Sequence, residues 1–362
     1  MVIESQGKNR MARSFLLFHK MATRKSFLFF NFGILLLIFL LSNCSTSSTE
    51  SEICFYHWKS KAQMDETCKE ALEIAGVKKI YMHYFDVSEL EFSEKGFDRV
   101  FPESVLKSVS EDYTAYTVVP TVFIENRVFK VSGMDVQRLA QNISFLINQI
   151  SEEHFGKRFE TIQIDCDWTM ETRAAYFAFL EFLQPEFQLD VTIRLHQIKY
   201  FQKTGVPPVD HGTLMLYNVG DLKNKNKNSI LLASIVEQYI SEDSEYPLKL
   251  HLGLPLFNQT VVFNKNDKIK LLRHQEKNFL RSNSCFEQLD DNLFKVRRDT
   301  IYKGLFLYEG YFLKTELSLP IEITSSYELI KTSKLEIDEI LFFHLDSVSL
   351  AQIKLKQLIS EL

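Results

Sequence analysis

Eight short apolar runs recur along the chain, and the stretches between most of them carry apolar residues at helical spacing. The runs lie at 53–58, 78–85, 116–124, 161–168, 189–196, 213–219, 248–256 and 339–346. All are of strand length, and most are rich in β-branched and aromatic residues. Helical spacing marks 61–75, 134–152, 170–183, 228–240 and 348–361; in the second of these, Met134, Val136, Leu139, Ile143 and Leu146 form one stripe. Strands alternating with helices predict repeated βα units and a parallel sheet. The count of eight predicts an α/β fold closed as a (β/α)8 TIM barrel rather than an open doubly wound sheet. Residues 257–338 are too long for a plain loop between the last two strands. With YKGLFLYEGYFL at 302–313 reading as a hairpin, they predict an insertion over the mouth of a barrel spanning 53–362.

The amino terminus follows a different pattern. Arg24 and Lys25 precede the apolar run Phe27–Leu41, then come Leu41-Ser42-Asn43-Cys44 and a Ser/Thr-rich stretch. A basic segment before a short apolar run reads as a secretory signal. The run is shorter than the roughly 20 apolar residues of a membrane span, so a transmembrane anchor is the weaker reading. The Leu-Ser-Asn-Cys ending resembles the lipobox of bacterial lipoproteins. That resemblance implies a signal peptide at 1–43, lipid on Cys44, a tether at 44–52 and anchorage at the cell envelope. Ser45, rather than aspartate, after the cysteine implies the outer membrane. Met21 is the more natural start for such a signal.

Composition narrows the partners. Hydrophobic residues make up 45% and charged residues 25% of 362, ordinary for a globular chain with a sizeable core. Residues 1–43 hold six basic side chains and one acid, which leaves −10 on the remainder of a chain of formal charge −5. With no basic tract, nucleic acid is not an expected partner. Neither GxGxxG nor GxxxxGKS/T follows any strand, so no nucleotide cofactor is expected. Besides Cys44, the cysteines are Cys54, Cys68, Cys166 and Cys285. They have no metal-ligand spacing and no evident pairing, so no metal is expected.

In a barrel of this kind, chemistry gathers at the carboxyl ends of the strands. Those ends hold His57 and Trp58; His83, Tyr84 and Asp86; Glu125 and Arg127; Asp165, Asp167 and Trp168; Arg194, His196 and Gln197; Tyr217 and Asn218; and His344 and Asp346. Alternation puts Gln163, Asp165, Asp167 and Thr169 on one face, with Ile162, Ile164 and Cys166 turned toward the helices. Two inward carboxylates repel unless one is protonated or paired, and a raised pKa suits a general acid. The competing reading is an ion pair between Asp167 and Arg194. Thr169 also reads as the N-cap of the next helix, with Glu171 in its first turn. In the loop after the fifth strand, stiffened by Pro207-Pro208, Asp210 and His211 read as scaffold.

IDCDWT at 164–169 resembles the strand-four motif D-G-x-D-x-D-x-E of family-18 glycoside hydrolases, the chitinase-like barrels, and LMLYN at 214–218 resembles their strand-six segment. The resemblance implies that Asp165 and Asp167 act as catalytic residues that orient a sugar. It implies hydrogen bonds from Tyr217 and Asn218, while strand-end position makes Trp58 and Trp168, the two tryptophans of the chain, candidates for stacking, and His196 and Arg194 candidates for further contacts. The chain departs from the motif where its first aspartate and glycine fall on Ile162 and Gln163. The proton-donating glutamate falls on Thr169, which cannot act as a general acid. Two outcomes follow: a glycan-binding barrel without hydrolysis, or a hydrolase using another acid such as Asp167, Glu125, Asp346 or Glu309.

Overall fold

The computed structural model describes residues 51–89 and 100–362. The expected signal segment 1–43, Cys44 and nearly all of the expected tether lie outside the described residues.

Eight parallel strands form the barrel: β1 (Glu52–His57), β2 (Lys79–Glu89), β3 (Thr117–Ile124), β4 (Thr161–Asp165), β5 (Gln188–Ile193), β6 (His211–Met215), β7 (Lys249–Pro255) and β8 (Ile337–Phe343). Each falls on one of the eight apolar runs. Closure is direct, because β1 pairs in parallel with both its neighbours: Phe55 stands opposite Phe342 of β8 and opposite Ile80 of β2. The ring is thus a (β/α)8 TIM barrel.

Period-two alternation sorts the side chains. Phe55, Ile80, Ile162, Ile164 and Cys166 join the large core between strands and helices. Cys54, Tyr56, Tyr81, Val119, Met215, Tyr217 and Leu341 fill the interior. Polar groups inside the ring hydrogen-bond to one another. Tyr56 donates to Gln163 Oε1 at 2.9 Å, and Gln163 Nε2 donates to Asp190 Oδ2 at 2.7 Å and to Thr213 at 3.0 Å. Burial pushes the Asp190 carboxyl up to about 8, against the opposing hydrogen bonds of Thr213 and Gln163.

The helices follow the predicted order with different bounds. α1 is Glu66–Ile74, α2 is Val136–Phe155 and α3 is Arg173–Leu183. The helix expected at 228–240 shortens to Ala233–Val236, and the last one breaks into Ser347–Leu350 and Leu355–Ser360. Thr169 is not a helix cap. A turn over 169–172 precedes α3, and Thr172 takes the boundary position without a side-chain cap bond. Its hydroxyl instead accepts from the Thr169 amide at 3.0 Å and donates to Asn126 at 2.6 Å. Glu171 pairs with Lys130 rather than with the helix end.

Between β7 and β8 stands a five-stranded antiparallel sheet in the order Ile269–Arg273, Asn258–Phe263, Phe312–Leu317, Leu293–Val296, Phe286–Asp290. It has its own apolar core of Val262, Phe294, Val296, Tyr302 and Leu313 among others. The hairpin lies at Thr300–Tyr302 and Leu305–Leu307, not across 302–313. Lys303 and Gly304 both take positive φ, as a two-residue turn of the mirror-image type requires. The following helix, Pro320–Lys331, packs Ile323 and Ile330 into the barrel core.

The described thiols Cys54, Cys68, Cys166 and Cys285 are all free. Among the described residues no helix is long and apolar enough to cross a membrane.

Candidate functional site

The carboxyl ends of the strands do bring most of the predicted residues to one mouth, but they divide into two groups. The first lies over β4, β5 and β6. Asp165 points inward, is buried, and accepts a 2.7 Å hydrogen bond from Thr192. Burial raises its carboxyl to about 6, even though Arg194 and Thr192 pull it down. Asp167 lies past the strand end, 56% exposed, and forms a fork with Arg194: Nε to Oδ1 at 2.6 Å and Nη2 to Oδ2 at 3.3 Å. Arg194 also donates to the Tyr217 carbonyl at 3.3 Å. The two arms of the guanidinium thus tie the Asp167 carboxylate to the end of β6.

Other members of the predicted set stand apart from any ligand space. The Trp168 ring is buried between the barrel and α3, stacked on Tyr176 at 5.4 Å. Its Nε1 donates to the Thr204 carbonyl at 3.5 Å. It cannot present a face to a sugar. Its parity places it with Ile162, Ile164 and Cys166 on the helix side. His196 is exposed on the short helix Leu195–Lys199, and Asn218 is exposed on the turn after β6 with φ of 55°. Asp210 accepts from the Leu189 amide at 2.9 Å and precedes His211, the first residue of β6, so both belong to the far end of the barrel. His57 turns outward and meets the Tyr113 hydroxyl through Nδ1 at 2.8 Å.

The second group lines an actual cavity of about 310 Å³ over β1, β7 and β8. Its aromatic wall is Trp58, Phe257 and Phe343. Trp58 continues the inward face of Cys54 and Tyr56, with its ring 5.5 Å from Phe343 and 4.7 Å from His83. His83 is held in turn by Asp86 at 2.7 Å. Tyr217 stacks on Phe343 from below at 4.9 Å, so it supports this wall. The polar wall is Lys59, Asn258, Gln259, Arg273, His274 and Asp346. Asp346 is buried and accepts from Lys59 Nζ at 2.7 Å and from the Ser349 amide at 3.1 Å. Burial alone would raise its carboxyl, but Lys59 outweighs that and holds it low. Burial drives His344 down to about 3, so this cavity histidine is neutral at physiological pH.

Sequence reasoning missed Gln259, Arg273 and His274. Arg273 and His274 lie at the end of the edge strand of the inserted sheet, and Gln259 stands opposite Arg273 on the strand beside it. Phe257 and Asn258 directly follow β7, and strand-end position alone could have found them.

No protein-family model matches the sequence, and no curated protein matches it. Similar solved structures include the spore cortex-lytic enzyme SleL of Bacillus cereus, with a TM-score of 0.47 at 12% identity over 86% of this chain and 74% of that one. A chitinase of Rhizomucor miehei gives 0.43 at 8% identity over 86% and 98%. A xylanase and alpha-amylase inhibitor protein of Scadoxus multiflorus gives 0.40 at 10% identity over 86% and 98%.

Proposed function

We propose that this chain binds a glycan at the mouth of its barrel without hydrolysing it, and that lipid on Cys44 holds it at a bacterial cell envelope. The observation that carries the binding site is the cavity over β1, β7 and β8, where Trp58 and Phe343 stand beside Asn258 and Gln259. Aromatic faces beside amide donors and acceptors suit a sugar, which has apolar ring faces and a hydroxyl edge.

The lack of turnover follows from where the acids are. Thr169 replaces the motif glutamate, Asp167 is committed to Arg194, and Asp346 is committed to Lys59 and Ser349. Neither Glu125 nor Glu309 lines the cavity. Asp165 has the raised pKa of a general acid, yet it is buried beneath the mouth and does not line the cavity. Protonating a glycosidic oxygen requires an acid within hydrogen-bond reach of it.

The test is to titrate the full chain in mild detergent with chitin and peptidoglycan oligosaccharides, following heat of binding and release of reducing ends together. Binding without new reducing ends is expected. Cleavage that disappears in Asp167→Asn would restore the hydrolase reading, and binding to no glycan would remove the proposal. Anchorage is checked separately: labelled palmitate should enter the wild type and not Cys44→Ser.

A further inference from the structure

We infer that the sugar this cavity takes is acidic, with its ring on the Trp58–Phe343 wall and a carboxylate on Arg273 and Lys59. The inference rests on the glycan-binding reading and adds the charge of the ligand to it.

Charge balance inside the cavity leads to it. Three side chains of the charged types line the space: Lys59, Arg273 and Asp346. The Asp346 side chain is only 2% exposed, and its charge is met internally by Lys59 and the Ser349 amide. Lys59 remains 39% exposed and has donors beyond the one that Asp346 occupies. Arg273 is exposed and has no acidic partner among the described residues. One positive charge is therefore left over at this wall, in a chain of formal charge −5. In the wall beside these groups, His344 is buried and its Nδ1 has no hydrogen-bond partner. Buried polar atoms are nearly always paired, so an orphan in a cavity wall is what a bound polar ligand or water would complete.

The geometry also selects the kind of anion. Arg273 ends the outer strand of the inserted sheet, where Gln259 stands opposite it. Its planar fork matches a carboxylate. A neutral chitin-type sugar would use the aromatic wall and the amides and leave this guanidinium unanswered.

The experiment compares each acidic oligosaccharide with its own neutral counterpart. Oligogalacturonate and muramic-acid-containing peptidoglycan fragments are titrated into the full chain in detergent, beside the same compounds with carboxyls reduced to alcohols. At least one acidic probe should bind about tenfold more tightly than its reduced form, as one charged hydrogen-bonded contact supplies. That advantage should shrink with added salt and vanish in Arg273→Gln. Equal affinity for each pair, or an advantage that survives Arg273→Gln, overturns the inference. If the two forms of every probe bind equally and Trp58→Ala abolishes that binding, the glycan reading stands while the acidic preference falls. If no probe binds in either form, both fall.

Discussion

Lys314→Met tests how the inserted sheet is fastened to the barrel, and so how the polar wall of the cavity is held. Lys314 and Glu316 lie one residue apart on the strand Phe312–Leu317, on the same face, and their side chains are 2% and 1% exposed. The Lys314 ammonium meets Glu316 Oε1 at 2.7 Å and the carbonyls of Asn224 and Lys227 at 2.7 and 3.0 Å. Glu316 also accepts from the Ser229 amide, the Ser229 hydroxyl and Gln259 Nε2, each at 2.7 Å. This network clamps the loop after β6 to the insertion, and through Gln259 it reaches the cavity. Methionine keeps the aliphatic stem but leaves Glu316 buried without its cation and the carbonyls without a donor. Removing one partner of a buried pair costs about 3–5 kcal/mol, and the remaining donors to Glu316 put the expected loss toward the lower end. Chemical denaturation of the full chain, followed by circular dichroism, measures it. Lys314→Met/Glu316→Gln should lose clearly less than the sum of the single changes, because no unpaired charge stays buried. A loss under about 1 kcal/mol for Lys314→Met, or additive losses in the double variant, would refute the reasoning.

Asp190 gives a pH prediction with a definite sign. Its carboxyl is raised from 3.8 to about 8 in the fold, so the folded state holds a proton that the unfolded state has released. Its contribution to stability is complete below about pH 4 and is lost as pH climbs toward 8. Asp190→Asn cannot titrate, so wild type minus variant stability should fall across that window in denaturation at stepped pH; a flat difference contradicts the assigned burial. The buried histidines His57 and His251, lowered to about 4, act in the opposite direction below pH 6.5 and cancel in this difference. Trp168→Ala should cost about 3–5 kcal/mol in the same denaturation assay. It should leave glycan affinity of the folded protein unchanged, since the ring is 1% exposed; a selective affinity loss would return Trp168 to the site.

Much of this architecture was legible because a barrel strand is a short apolar run with strict alternation. The inward turn of Asp165 and the outward turn of Ile164 and Cys166 both follow from parity. So does the outward turn of Trp168, although its place at a strand end and in the resembling motif argued otherwise. The Asp167–Arg194 pair was legible as opposite charges at the ends of adjacent strands. Arg273 and His274 left no comparable signal. They reach the cavity on a hairpin inside an insertion, where Asn258–Phe263 pairs with its neighbour Ile269–Arg273 on one side and with the distant Phe312–Leu317 on the other. Thr169 misled because a threonine before a helical pattern looks like a cap, while the chain makes another turn first.

The central claim, that a glycan lies against Trp58, has a direct optical readout. The chain contains 2 tryptophans, and only Trp58 meets the cavity. Tryptophan emission is recorded while the full chain is titrated with an oligosaccharide that calorimetry shows to bind, in wild type and in Trp58→Phe. A saturable change is expected in wild type at the calorimetric midpoint, and none in Trp58→Phe. An equal change in both proteins, or calorimetric binding with silent wild-type emission, would contradict it.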